Sequence, residues 1–170
     1  MLIVKKLFGS TLIEVLISAL IVALGLASFL KIQNQSMKNQ LESQQRADVI
    51  EATNQLVQKI SNNPDKTGVQ YISKGFIENI NSTFDCITNT CSTTQTAIYD
   101  LREWGNQLAT TLPKQSFYSI QQTEPFVFSI NIAWNRNKSV TSTVFDITQG
   151  CMNASDIICY EMVFRLEEFD

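Results

Sequence analysis

Between Lys6 and Lys31 the sequence carries a single charged side chain, Glu14, and every other residue in that interval is apolar, small or a hydroxyl. A run of this length can cross a bilayer as a helix, since about 20 residues at ~1.5 Å rise span its ~30 Å hydrocarbon core. It fixes the first element of the chain and the environment of that element. The carboxylate is the anomaly. An ionised group at the bilayer centre costs about 2.5–3.5 kcal/mol on insertion scales, so Glu14 needs a partner or a reason.

Two readings compete for the N-terminus. Lys5 and Lys6 ahead of the uncharged residues 15–30 have the order of a secretory signal, and Gly25-Leu26-Ala27 offers a small-x-small cleavage site that would start the mature chain at Ser28. A cut between Gly9 and Ser10 would instead place a new α-amino group four residues before Glu14. In a packed array the amine of one subunit could then meet Glu14 of its neighbour. At about 4 Å and an effective dielectric near 20, that attraction is roughly 4 kcal/mol. Both readings leave Lys5 and Lys6 in the cytoplasm and export everything beyond Leu30.

Gly9-Ser10-Thr11-Leu12-Ile13-Glu14-Val15-Leu16, after a short basic leader and before an apolar run, resembles the prepilin peptidase motif of type IV pilins and pseudopilins. The resemblance implies that the peptidase cuts after Gly9, that the Ser10 amine is methylated, and that Glu14 is the fifth mature residue. The chain departs from the family at Ser10, where a phenylalanine is usual. The segment "YDLREWGNQLATTLP", residues 99–113, is similar to the corresponding part of PilV-type minor pilins, with its Asp-Leu pair, Trp104 and terminal Leu-Pro. The resemblance further implies a leader over 1–9, a transmembrane and filament-core half-helix over 10–30, and a periplasmic or extracellular head over 31–170. The expected partners are the prepilin peptidase, other minor pilins, the major pilin and the bacterial inner membrane. The expected role is initiation of pilus assembly; a type II secretion pseudopilin and a secreted or anchored binding module are the alternatives.

The remaining sequence predicts an α+β head. No Gly or Pro interrupts residues 31–63, and Met37, Leu41, Val49, Ala52, Leu56 and Ile60 recur near helical spacing, so one helix is expected from Ser10 to about Asn62, roughly 80 Å at 1.5 Å per residue. Ser92 and Gln95 have capping-box spacing, and Ala97, Leu101, Trp104 and Leu108 share a face before Pro113, which predicts a short packed helix with Trp104 as a core anchor. Alternation predicts strands over 126–134 and 158–166, a third at Thr141, Thr143, Phe145 and Ile147 after a turn at Asn135 to Lys138, and a weaker one over 116–121. Four antiparallel strands with one face on the long helix complete the fold.

The chain has 170 residues and a net charge of −3, which argues against a nucleic-acid surface, and nucleic acid is not expected as a partner despite Arg136 and Lys138 on a turn. It has no histidine, the commonest metal ligand and the usual neutral-pH base, so no catalytic site, metal or cofactor is expected. Its four cysteines fall beyond the apolar run as two close pairs, Cys86 with Cys91 and Cys151 with Cys159. Two local disulfides suit an oxidising periplasm better than a zinc site gathered from distant segments. Sequencing the mature N-terminus separates the readings of the leader: a chain beginning at Ser10 is expected, and one beginning at Ser28 would remove the pilin-like reading.

Overall fold

The structure is a computed structural model that describes residues 10–81, 83–136 and 157–167. Its elements are α1 (Ser10–Asn62), β1 (Ser73–Phe76), α2 (Thr93–Thr111), β2 (Phe117–Glu124), β3 (Val127–Asn135) and β4 (Ile157–Arg165), with 3-10 turns at Val69–Tyr71 and Ile77–Asn79. The layout is the expected α+β one: a long N-terminal helix, a second shorter helix and a four-stranded antiparallel sheet. The chain divides into two units, Met1–Ser43 and Gln44–Asp170.

α1 ends at Asn62, as expected from the sequence, and Ser10 is its first described residue. Its end has a local cause: Pro64 has no N–H to continue the ladder and disfavours helical geometry at Asn63. The Asn63 Oδ1 then accepts from the Asp65 N–H at 3.0 Å, and the Lys66 ammonium donates to the Ser61 carbonyl at 2.9 Å, so side chains occupy the polar groups that the helix end leaves open. Of the expected apolar stripe, Val49, Ala52, Leu56 and Ile60 are buried, whereas Met37 and Leu41 are 66% and 50% exposed. The packed part of α1 lies within the unit that starts at Gln44.

Ser92 caps α2 in the way its spacing predicts: its hydroxyl accepts from the Gln95 N–H at 3.3 Å, and the Gln95 side chain accepts from the Ser92 N–H at 2.9 Å. The buried face is Ala97, Leu101, Trp104 and Leu108, joined by Gly105. A Cβ at Gly105 would stand 2.7 Å from Cδ1 of Ile80, so the glycine lets the residues after the second 3-10 turn approach the helix. Trp104 is the core anchor expected of it, 3% exposed and edge-on to Tyr118 at 5.5 Å. These side chains form one hydrophobic cluster with Val49, Ala52, Leu56 and Ile60 of α1 and with Tyr118, Ile120, Phe128, Ile130, Ile132, Trp134 and Ile158 of the sheet.

The sheet order is β1-β2-β3-β4, antiparallel throughout. β3 is its buried strand on both faces. Phe128, Ile130, Ile132 and Trp134 belong to the core cluster, while Ser129, Asn131, Ala133 and Asn135 are buried on the other side and are small or amide-bearing. There Asn131 donates to the Ser129 hydroxyl at 3.3 Å, which gives these two buried polar groups a partner. Three features differ from the sequence reading. β1 stands where the sequence reading places no element, because a four-residue strand containing Gly75 has too little alternation to register. Phe126 is not the start of a strand but part of the two-residue turn after Glu124, at φ 61°, with no glycine to mark the turn. β3 takes β4 as its second neighbour along its whole length, rather than the residues after the expected Asn135 to Lys138 turn. The strand expected at Thr141, Thr143, Phe145 and Ile147 lies outside the described residues.

One buried polar node ties the helices to the turn between them. The Tyr71 hydroxyl donates to Asp100 Oδ2 at 2.8 Å and accepts from Asn63 Nδ2 at 3.1 Å; the same amide donates to the Thr93 carbonyl at 3.1 Å, and Lys59 pairs with Asp100 Oδ1 at 3.2 Å. Gly68 sets up the turn: its φ of 67° and a hypothetical Cβ 2.9 Å from both Phe128 and Leu166 exclude a side chain. Burial first, and then the Asp100 carboxylate, raise the Tyr71 hydroxyl well above its ordinary 10.0, although the Asn63 donor works the other way. The unfolded chain therefore loses this proton first, and the contribution of Tyr71 is intact below pH 10 and erodes as pH rises beyond it. Tyr71→Phe should lower unfolding free energy by about 1–3 kcal/mol at neutral pH, by stranding Asp100 and Asn63. It should also flatten the fall in denaturation midpoint above pH 10, leaving a smaller share from Tyr160, which burial also raises. Equal alkaline slopes in the two proteins would contradict the assignment.

Candidate functional site

The first unit presents an apolar helix surface. From Leu12 to Ile32 every side chain of α1 is exposed, with values such as 72% for Leu12, 61% for Leu20 and 58% for Leu30. An exposed apolar surface on all sides of a helix suits a lipid or helix-lined environment, and α1 is long and apolar enough to cross a membrane. Ser28, toward the end of the apolar run, donates back to the Leu24 carbonyl at 3.0 Å, which satisfies its hydroxyl without a partner helix.

Glu14 lies near the start of the described part of α1. Counting 1.5 Å per residue, Glu14 and Lys31 are roughly 26 Å apart along the axis, close to the ~30 Å of a hydrocarbon core. In a bilayer the carboxylate would therefore reach one interface while the Lys31 ammonium reached the other, and the centre-of-bilayer cost would be largely avoided. Ser10 is the first described residue of α1; Lys5, Lys6 and Gly9 lie outside the described residues.

In the second unit the disulfide expected between Cys86 and Cys91 is present, and it closes a loop that runs directly into the Ser92 cap of α2. Asp85 organises this loop. Its Oδ1 accepts from the Ile87 N–H at 3.0 Å and its Oδ2 from the Thr88 hydroxyl at 2.7 Å, and these two donors, the hydroxyl foremost, hold the carboxyl below its ordinary range. Asn89 donates to the Asp85 carbonyl at 3.1 Å, and Arg102 of α2 donates to the Phe84 carbonyl at 3.3 Å while lying 4.7 Å from the Tyr99 ring centre. Spacing identifies the disulfide, but the role of Asp85 depends on a turn geometry that no periodicity announces. Cys159 stands on β4 opposite Ala133, and Cys151 lies outside the described residues. Among the described residues no group of three or more His, Cys, Asp or Glu side chains could hold a metal ion.

Comparison with models of protein families, with curated proteins and with solved structures finds no match to this chain. The residues and the geometry therefore carry the functional reading alone.

Loop closure over so short a ring stabilises by about 2 kcal/mol in the chain-entropy account. Cys86→Ser with Cys91→Ser should lower the unfolding free energy of the full chain by about that amount, because Asp85 and Arg102 keep part of the loop order. Peptide mapping without reductant should also recover a Cys151 to Cys159 bridge. A bridge from Cys159 to any other residue would refute the local pairing.

Proposed function

We propose that this chain is a minor pilin resembling the PilV type, held in the bacterial inner membrane by the first half of α1 with its head in the periplasm, and recruited with other minor pilins to start a type IV pilus. The observation that carries the reading is Glu14: it is the only charge on an apolar, exposed helix surface that runs to Leu30, and it lies four residues after Ser10. An ordinary signal or anchor has no use for a carboxylate there. A subunit cleaved after Gly9 does, because its new amine and Glu14 can be satisfied by the Glu14-like carboxylate and the amine of neighbours.

The role as an initiator rests on the same energetics. The first cluster of helices leaving the bilayer must satisfy all of its N-terminal charges at once, with few neighbours to share them, so the earliest complex is the hardest to form. A low-copy subunit that supplies one matched amine and carboxylate lowers that barrier, and its head adds lateral contacts. No step of this function requires catalysis, a metal or a cofactor.

Deleting the chain should sharply reduce pilus number and twitching while the major pilin stays at its normal level. Gly9 replaced by a bulky residue should leave an uncut precursor. Glu14→Ala should be cleaved normally yet recruited poorly, since the lost pairing of roughly 4 kcal/mol corresponds to a drop of about a thousandfold in the contact it forms. Unchanged piliation after deletion together with loss of protein export would favour the secretion pseudopilin, and full function of Glu14→Ala would overturn the pairing.

A further inference from the structure

Within the second unit, α1 and α2 leave a cleft between them, a cavity of about 440 Å³ bounded by residues 52–59 of the first helix and 103–110 of the second. That volume lies in the range of small-molecule sites. From residue 52 to residue 59 the helix rise makes the cleft roughly 10 Å long, enough for about two sugar rings but only about three residues of extended peptide. Its walls differ with depth. Ala52, Leu56 and Trp104 are buried, and the indole N–H of Trp104 has no acceptor among the described residues. A buried donor left unmet calls for an explanation, and an acceptor carried by a ligand supplies one. Gln55, Asn106 and Gln107 are exposed and bring three carboxamides to the rim. The two charges of the lining are already paired, Lys59 with Asp100 at 3.2 Å and Glu103 with Arg102 at 3.2 Å.

We infer that the cleft between α1 and α2 binds a neutral sugar of one or two rings. A carboxamide both donates and accepts, which matches hydroxyl groups that do the same, and the C–H face of a sugar ring suits the apolar wall of Ala52, Leu56 and the indole. An anion fits less well: it would have to draw Lys59 from Asp100, which also holds the Tyr71 hydroxyl, and it would meet the Glu103 carboxylate. A lipid tail would cover the rim amides without bonding them. The inference is independent of the proposed role in pilus assembly.

The test titrates the full chain, held in a detergent without a sugar head group, with cellobiose and with N,N′-diacetylchitobiose, and follows binding by calorimetry. At least one of the two should bind saturably at millimolar concentration or below. Asn106→Ala combined with Gln107→Ala should weaken that binding about tenfold, the loss expected of one or two neutral hydrogen bonds, with an unchanged thermal midpoint because both side chains are exposed. Gln55→Trp, which fills the cleft from its rim, should abolish it. Saturable binding by neither disaccharide, equal binding by the double variant, or tighter binding of the neutral peptide N-acetyl-Ala-Ala-amide than of either sugar would each overturn the assignment.

Discussion

The head depends on a single hydroxyl. Tyr71 accepts from Asn63 and donates to Asp100, and through these two neighbours it holds the end of α1, the turn after it and the start of α2 in one arrangement. Asn63 spends both donors and its acceptor on this node and on Asp65, and Asp100 divides its oxygens between Tyr71 and Lys59. Every polar group so placed is satisfied, which is the condition under which a buried polar network specifies one geometry rather than weakening the core. The apolar packing of α1 and α2 against the sheet presupposes this junction, since helices entering at another angle would present different side chains to β3.

The helices are legible in the sequence because their signals are local. Pro64 after Asn63, the Ser92 and Gln95 pair, and the spacing of Ala97, Leu101, Trp104 and Leu108 each act within a few residues of themselves. β2, β3 and β4 are legible for the same reason, through alternation. The features that the sequence does not reveal depend on partners distant in the chain. β1 exists because β2 offers it hydrogen bonds from Ser73 to Phe76, and its edge-on contact between Phe76 and Phe117 involves residues far apart in sequence. The turn at Phe126 adopts a positive φ that only the pairing of the flanking strands enforces, and the buried outer face of β3 gives no apolar signal at all.

The candidate site is legible unevenly, and the physical reason differs for each part. Glu14 is conspicuous in the sequence because it violates the composition around it, and its depth in a bilayer comes from helix rise alone once the bounds of α1 are known. Met37 and Leu41 mislead for the opposite cause: they continue the spacing of the buried stripe, yet periodicity cannot tell where a packed surface begins. The loop at Asp85 lies between these cases. Its cysteine pair is readable from spacing, while the carboxylate that shapes it is one acid among several until the turn brings Ile87 and Thr88 to it.

The position of β3 and β4 in the chain has a consequence for how the head comes together during synthesis. The chain is made from α1 onward, so Val49, Ala52, Leu56 and Ile60 emerge long before the strands whose residues cover them. Phe128 to Trp134 emerge much later, and Ile158 later still, so for that interval the stripe of α1 is an amphipathic surface in water with no sheet to rest on. Synthesis from the N-terminus thus creates a window in which a holdase chaperone or α2 arriving first decides whether the head forms correctly.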